Sequence, residues 1–381
     1  MKKKNCSLVL LAALCMPRRH PNQEKLTSHY RNVLRHILLS AALGLSALSV
    51  SQPSTAQELF IGDLGDNSIK GFDVAGGTYL GAFVPSGTAG LKGPIGMIFT
   101  GGKLVVVNQN IDTNLSGEIL QFDSTTGTFV GKLVASSDRN APFFPQGIVR
   151  GGPDQGFYLA DVGIKNGQCA NQGNIKEYDA AGAFLGNLDQ HRFTAEFHPR
   201  GVVFGPDGLL YVSTIGCLDP TDPHFSPIAG YILRFNASTK AFVDVFASNS
   251  TVPDLHRPEG LVFDSAGNLW VTSFRANTSD IDKILKLDGR TGALLDKLML
   301  WTPPAPRAYA QAIIFGPGGN LYIPITGGDA TTAGQVRRCN PTTKHCDVIV
   351  PANSSGGALQ KPWFLIFRKS DAATLNYEDK D

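Results

Sequence analysis

The fold is decided by the stretch Pro199–Val212, which reads PRGVVFGPDGLLYV. One apolar run follows Pro-Arg-Gly, and a second follows the dipeptide Asp207-Gly208. Asp-Gly between two apolar runs favours a tight hairpin, because glycine accepts the positive φ that such turns need. The stretch therefore predicts two buried antiparallel strands joined by a short turn.

The same pattern recurs along the whole chain. Counted between the third residues of successive copies, the steps are 51, 54, 59, 52 and 52 residues. The six copies begin at Pro94, Pro145, Pro199, Pro258, Ala310 and Pro362. In each complete unit a third strand, such as Leu233–Asn236, and a turn into a fourth strand follow the first two. Four strands per unit at this period are typical of a β-propeller blade.

The two ends of the repeat region complement each other. Residues 59–84 supply the second, third and fourth strands of a blade without a first, whereas Trp363–Phe367 is a first strand without followers. Pairing them makes a sixth blade and removes the exposed edges of an open sheet. A β-solenoid, the alternative, has no need of complementary ends. We therefore predict an all-β, six-bladed propeller over residues 57–368, closed by N-terminal strands pairing with the C-terminal strand.

The N-terminal segment 1–56 predicts export. The 14-residue apolar stretch Ile37–Val50 follows basic residues and precedes Ser54-Thr55-Ala56, which suits signal cleavage before Gln57. A signal anchor is the alternative. Cleavage would leave a secreted or periplasmic chain with no membrane span and a polar C-terminal tail at 369–381.

The charge distribution argues against a nucleic-acid partner. Residues 1–56 contain eight Lys or Arg and one Glu, so the remainder carries 26 basic and 31 acidic side chains, a net charge of −5. Binding to phosphates needs a basic surface, and the sequence shows no basic cluster. A small polar molecule or a protein is the expected partner, and we expect a monomer because a closed ring leaves no open edge.

Four cysteines remain after the predicted cleavage, as an oxidising compartment allows. Cys339 and Cys346 flank a turn at positions where other blades carry a cross-strand apolar pair, so we predict a disulfide between them. Cys169 and Cys217 lie in two long loops of neighbouring blades. A second disulfide there is predicted, with free buried thiols as the alternative.

The motifs Pro-x-Gly-φ-x-Phe, Asp-Gly-Asn-Leu-Tyr-Val and Ile-x-Arg-Phe-Asp resemble those of NHL-repeat propellers and of the related gluconolactonase (senescence-marker-protein-like) propellers. The resemblance covers residues 59–368. It implies that the first strand of each blade lines a central channel, with the residue between Pro and Gly pointing towards its mouth. In this chain these six residues are Ile95, Gln146, Arg200, Glu259, Gln311 and Trp363.

Four consecutive polar residues in that set, Gln146, Arg200, Glu259 and Gln311, form the predicted ligand site. The alternative is that they only satisfy one another, with Arg200 and Glu259 forming an ion pair. Residues at the ends of second strands are predicted to form an outer ring on the same face. Asn108, Asp161 and Arg275 are the ligand-binding candidates of this ring.

The resemblance also implies an alternative function, a metal-dependent hydrolase or lyase. Gluconolactonase-like propellers hold a divalent cation in the channel through oxygen ligands, which suit Ca²⁺. Glu259, Asp161 and Asn108 are the candidate ligands here, although Arg200 places a positive charge in the channel. The lyase branch binds Zn²⁺ through histidines. His198 and His256 precede Pro-x-Gly steps, but a catalytic zinc site needs three protein ligands.

The sequence thus predicts an extracytoplasmic propeller that binds a small polar ligand or a protein partner at the channel mouth. Whether it is an enzyme stays open at this stage.

Overall fold

The computed structural model describes residues 58–165, 168–169, 172–216, 229–301, 306–368, 370–371 and 377–378. In chain order, the described strands begin with β1 (Glu58–Asp63), β2 (Ser68–Asp73) and β3 (Tyr79–Val84). Four strands follow as the first complete sheet: β4 (Pro94–Thr100), β5 (Lys103–Asn108), β6 (Glu118–Asp123) and β7 (Phe129–Val134). We call this sheet blade 1.

The next two blades have the same order of strands. Blade 2 consists of β8 (Pro145–Gly151), β9 (Gly156–Asp161), β12 (Asn174–Tyr178) and β13 (Phe184–Asn187), and its long loop carries the short pair β10 (Ile164–Lys165) and β11 (Gln168–Cys169). Blade 3 consists of β14 (His198–Phe204), β15 (Leu210–Ile215), β16 (Gly230–Asn236) and β17 (Ala241–Ser248).

Blades 4 and 5 have shorter first strands. Blade 4 consists of β18 (Leu261–Phe263), β19 (Leu269–Ser273), β20 (Lys283–Leu287) and β21 (Leu294–Met299), and blade 5 of β22 (Ile314–Phe315), β23 (Leu321–Ile325), β24 (Gln335–Cys339) and β25 (Cys346–Val350). Three 3₁₀ turns of the described residues lie outside the sheets, at Thr88–Gly90, Pro317–Gly319 and Asn353–Ser355. None of the helical turns in the described ranges is long and apolar enough to span a bilayer.

The ring closes as the sequence predicts. Strand β26 (Pro362–Phe367) pairs antiparallel with β1, and the sheet continues through β2 and β3 as blade 6. The register places Leu59 opposite Phe367 and Ile61 opposite Leu365. A short pair, β27 (Ser370–Asp371) and β28 (Tyr377–Glu378), follows. The six-bladed, four-stranded propeller is therefore confirmed.

The phenylalanine of the repeat explains how the blades pack. At five of the six junctions an aromatic ring from the second strand contacts the aromatic ring that ends the first strand of the next blade. These pairs are Phe60–Phe99, Tyr158–Phe204, Tyr211–Phe263, Trp270–Phe315 and Tyr322–Phe367. Their ring centroids lie 5.0–6.0 Å apart, a distance at which aromatic pairs stabilise by about 1 kcal/mol beyond their burial. Arg150 replaces the phenylalanine at the sixth junction.

The glycine of the repeat is required by close approach of backbones at the channel. A Cβ on Gly147 would lie 2.6 Å from the carbonyl oxygen of Arg200, and one on Gly201 would lie 2.2 Å from that of Glu259. Any side chain at these positions would push neighbouring blades apart. Glycine therefore lets the first strands converge around a narrow channel.

The predicted disulfide of blade 5 is confirmed. Cys339 and Cys346 are opposite each other on β24 and β25, and their sulfurs are bonded. In the other blades this position holds apolar pairs, such as Phe235–Phe242 with ring centroids 5.6 Å apart. Cys217 lies outside the described residues and the side chain of Cys169 is not described, so the second disulfide stays a prediction.

Candidate functional site

A small cavity at the centre of the ring brings the four predicted polar residues together. Gln146, Arg200, Glu259 and Gln311 all line it, with Ile95 and Trp363 completing the ring. Apolar side chains of the first strands form most of the remaining walls, together with Ile313 directly before β22; those of the strands include Met97, Ile148, Val202, Leu261 and Leu365. Its free volume is about 50 Å³, room for roughly four water-sized groups.

A β-bulge aims these side chains into the channel. In blade 2 the register shifts between Pro145 and Ile148, and in blade 3 between Pro199 and Val202. Two residues of the first strand there face one residue of its partner, a distortion that often redirects a side chain next to a functional site. The bulges coincide with Pro-x-Gly, so the repeat motif itself sets the direction of Gln146 and Arg200.

The polar residues form a hydrogen-bonded chain across three blades. Arg200 donates from Nη1 to Oε1 of Gln146 at 3.1 Å, and Gln146 donates from Nε2 to Oε2 of Glu259 at 2.9 Å. The predicted ion pair between Arg200 and Glu259 is long, at 3.9 Å from Nη1 to Oε1. Glu259 is 1% exposed and Arg200 is 8% exposed. These hydrogen bonds therefore fix the amide of Gln146 in a site that is nearly shielded from solvent.

Two residues that line this cavity each have a buried side-chain atom without a hydrogen-bond partner among the described residues, Nε of Arg200 and Oε1 of Gln311. Both side chains are more than nine-tenths buried. Burial lowers the pKa of the Arg200 guanidinium, while the charge of Glu259 opposes that shift. Buried polar groups without partners are rare in folded proteins, because each costs about 1–3 kcal/mol. A donor and an acceptor thus stay unsatisfied on two residues that line one cavity.

The closest cationic partner of Glu259 was missed by the sequence analysis. Arg257 donates from Nε to Oε1 of Glu259 at 3.1 Å, and its guanidinium lies over the ring of Phe274, 4.9 Å from the centroid. Arg257 has φ of +41° immediately before Pro258. A proline disfavours such a conformation in the residue before it, so the backbone is strained at this point. The equivalent residue of blade 1 is Gly93. An arginine at a repeat position that holds glycine in blade 1 was therefore visible in the sequence and could have drawn attention to Arg257.

The outer-ring residues have a structural role that repeats around the propeller. Asp161 accepts hydrogen bonds from the backbone N–H groups of Phe143 and Phe144, at 2.7 and 2.8 Å. Asn108 accepts one from Lys92 and donates to Glu118. In five blades a side chain at or near the end of the second strand holds the loop that leads into the first strand of the same blade; these are Asp63, Asn108, Asp161, Thr214 and Ser273. Asp282, directly before β20 of blade 4, holds the loop that leads into blade 5. These contacts support the loops that surround the mouth.

Asn108, Asp161 and Arg275 do not line the central cavity, although the sequence analysis predicted them as ligand-binding residues. The backbone N–H of Arg275 donates to Asp282. The structure therefore brings together the inner four candidates and places these three elsewhere on the blades.

The candidate metal ligands do not fit a divalent cation. The carboxylate of Glu259 already accepts from Arg257 and Gln146, while Asp161 and Asn108 are held by the loop contacts described above. Two guanidinium groups beside Glu259 would repel a cation. Across the described part of the chain, no group of three or more His, Cys, Asp or Glu side chains is placed to hold a metal ion. We derive no metal-assisted step.

The two histidines are engaged locally. Nδ1 of His198 lies 2.8 Å from the carbonyl oxygen of Val162, and Nδ1 of His256 lies 3.4 Å from Nδ2 of Asn249. Burial lowers the pKa of both imidazoles, helped at His198 by the charge of Arg200 and at His256 by that of Lys283. Neither histidine lines the cavity.

Comparison with known proteins identifies the chain by its fold. No protein-family model matches it, and no curated protein is similar to it in sequence. A protein of unknown function from Bacteroides caccae superposes with a TM-score of 0.50 and 13% identity, over 83% of this chain and 100% of its own. A putative 6-phosphogluconolactonase from Bacteroides fragilis gives 0.50 and 16%, over 83% and 99%.

A third solved structure, a luciferin-regenerating enzyme, gives a TM-score of 0.50 and 15% identity, over 70% of this chain and 80% of its own. Identities this low establish a shared fold and leave activity open. The chain is a six-bladed β-propeller whose fold is similar to that of these three solved structures.

Proposed function

We propose that this protein is an exported binding propeller that recognises a small polar ligand at the channel mouth, through Gln146, Arg200, Glu259 and Gln311. The observation that carries the proposal is the pair of buried atoms without partners among the described residues, Nε of Arg200 and Oε1 of Gln311. A ligand that accepts from the first and donates to the second would satisfy both. Export rests on the signal-like segment 1–56.

Binding is favoured over hydrolysis by the residue types that surround the cavity. None of the described lining residues is Ser, Thr, Cys or His, the usual nucleophiles and bases. Within that same described lining Glu259 is the one carboxylate, and it already accepts from Arg257 and Gln146. A general base needs a lone pair directed at the substrate, and these two donors already engage one lone pair on each oxygen of Glu259.

The shape of the site favours a small ligand over a protein surface. The polar atoms lie inside a cavity of about 50 Å³, whereas stable protein interfaces bury about 1,600 Å² in total. A larger ligand would place only one polar group in the cavity and extend outwards. We therefore treat binding of a protein partner as the alternative that the following experiment must exclude.

The test is a thermal-shift screen of small acids, amides, alcohols and sugars, followed by calorimetry on any compound that raises the melting temperature. Gln311→Leu removes the free acceptor and leaves a side chain of similar size. We expect binding to weaken about fivefold or more, since one hydrogen bond contributes about 1 kcal/mol. The control Gln121→Leu, on β6 outside the cavity lining, should bind as the wild type does.

Two results would overturn the proposal. The first is a screen in which no small polar compound shifts the melting temperature, combined with capture of a protein partner by the intact propeller. The second is a ligand that binds equally well to both glutamine variants. Loss of binding in the presence of a chelator, with near-stoichiometric metal in the purified protein, would restore the metal-dependent hydrolase as the better function.

A further inference from the structure

We propose that the ligand is a small organic acid, whose carboxylate lies against Nε of Arg200 and whose neighbouring hydroxyl donates to Oε1 of Gln311. This inference rests on the proposed function and adds the chemical class of the ligand. Two observations support it: the balance of charges around the cavity, and the fact that one unsatisfied atom is a donor and the other an acceptor.

Arg200 carries the one guanidinium among the described residues that line the cavity, and it has no carboxylate within hydrogen-bond distance. Arg257 occupies Oε1 of Glu259 at 3.1 Å, and in blade 5 Arg307 pairs with Asp282, also at 3.1 Å. Asp282 additionally accepts from the backbone N–H groups of Ala308 and Tyr309. Among the described residues the shortest ion pair of Arg200 is the 3.9 Å approach to Glu259, beyond hydrogen-bond distance.

A cation buried beside a shared carboxylate is costly. Removing an ion from water costs several kcal/mol unless a counter-charge and hydrogen bonds compensate. His198 does not provide the counter-charge, because an imidazole is neutral or positive. An anionic ligand would supply it, at the Nε–H that the described protein residues leave unsatisfied.

The backbone strain at Arg257 fits the same conclusion. Its left-handed conformation and its stacking on Phe274 direct the guanidinium towards Glu259. Glu259 is thereby neutralised by Arg257, so its repulsion of an incoming anion is reduced. Arg257 is a positioning residue in this scheme, since it acts through Glu259.

The two free atoms and the volume specify the rest of the ligand. Arg200 Nε offers a hydrogen-bond donor and Gln311 Oε1 an acceptor, and the two are not bonded to each other. A carboxylate with an adjacent hydroxyl provides the matching acceptor and donor in a few atoms. The volume of about 50 Å³ suits such a group, and the second negative charge of a phosphate dianion would be repelled by Glu259, which lines the same cavity.

The test is calorimetry with glycolate, with acetate and glycolamide, which each change one feature of it, and with inorganic phosphate as a different anion. Acetate lacks the hydroxyl and should bind about fivefold more weakly, the effect of one neutral hydrogen bond. Glycolamide lacks the charge and should bind at least tenfold more weakly, because hydrogen bonds to charged groups contribute about 1.5–3 kcal/mol. Inorganic phosphate should bind more weakly than glycolate.

Three variants assign these effects to residues. Arg200→Met should lose glycolate binding, whereas Arg290→Met, the same change at an exposed hairpin of blade 4, should keep it. In Gln311→Leu the advantage of glycolate over acetate should disappear. This ratio keeps the inference testable even where Arg200→Met fails to fold.

Specific outcomes would overturn the inference. Equal binding of glycolamide and glycolate would show a neutral ligand, and phosphate binding more tightly than glycolate would show the wrong anion. In both cases the proposed function stands if the binding depends on Gln311. Absence of glycolate binding would refute the inference that the ligand is a small organic acid. The proposed function fails only if no compound in the whole screen binds in a way that depends on Gln311.

Discussion

Replacing Asp63 with asparagine tests how strongly the two ends of the chain are joined. Asp63 is fully buried at the end of β1 and accepts from the backbone N–H groups of Gln360 and Lys361, both at 2.8 Å. It also accepts from the N–H of Gly65 and from Nζ of Lys70, at 2.9 and 2.7 Å. One carboxylate therefore connects the first strand of the chain to the loop before the last.

The expected loss of stability follows from these four contacts. In Asp63→Asn the side chain would keep one oxygen acceptor, so its NH₂ group would face the donors that Oδ2 serves in the wild type, Gln360 N–H and Lys70 Nζ. A buried N–H left unsatisfied costs about 1–3 kcal/mol, and a lost charge-assisted bond costs about 1.5–3 kcal/mol. We expect the free energy of unfolding to fall by about 3–5 kcal/mol, a large share of a typical total of about 5–15 kcal/mol.

The assay is urea unfolding with linear extrapolation, and Asp66→Asn is the matched control. Asp66 is the other carboxylate on Lys70, at 2.6 Å, and its side chain is 32% exposed. Partly exposed ion pairs contribute about 0–1 kcal/mol, so Asp66→Asn should cost about that amount. The reasoning is refuted if Asp63→Asn costs no more than its control.

Two further predictions concern pH and the disulfide. Burial and the charge of Arg200 lower the pKa of His198 below its ordinary 6.5, so the unfolded chain binds a proton more readily and stability contributed by neutral His198 is lost as the pH falls below that value. His198→Asn, which keeps an N–H for Val162, should flatten the acid side of the stability curve; a curve that stays parallel to that of the wild type would contradict this. Removing the disulfide in Cys339→Ser/Cys346→Ser should lower the free energy of unfolding by about 2 kcal/mol, because a short loop loses its constraint in the unfolded chain. A reducing agent should lower the stability of the wild type by about that amount more than it lowers the stability of the double variant, which keeps Cys169 and Cys217, and equal sensitivity of both would disprove the assignment.

The blade number and the closure could be predicted because they depend on local chemistry that repeats. Turn residues such as Asp207-Gly208 set each hairpin, and the spacing of Pro-x-Gly sets the period. The inner polar residues could also be found, since each occupies the same position of the repeat. The Cys339–Cys346 bond followed from the cross-strand pairing of the other blades.

The finer features of the site could not be found in this way. A polar residue at the end of a second strand suggests a ligand contact, yet Asp161 is occupied by the N–H groups of Phe143 and Phe144. Which backbone groups such a side chain meets depends on the path of a loop distant in sequence. The identity of Asp161 in the sequence does not indicate which path that loop takes.

By itself, then, the sequence determined the architecture of six blades, the joining of the two ends and the row of polar residues around the channel, because turns, strand periods and glycine contacts are encoded locally. Only the tertiary structure decided that Arg257, not Arg200, is the nearer partner of Glu259. It also decided that Arg200 and Gln311 each keep an unsatisfied atom among the described residues. These outcomes depend on bulges, on one strained φ and on small differences in distance between blades, which arise only when the ring is closed.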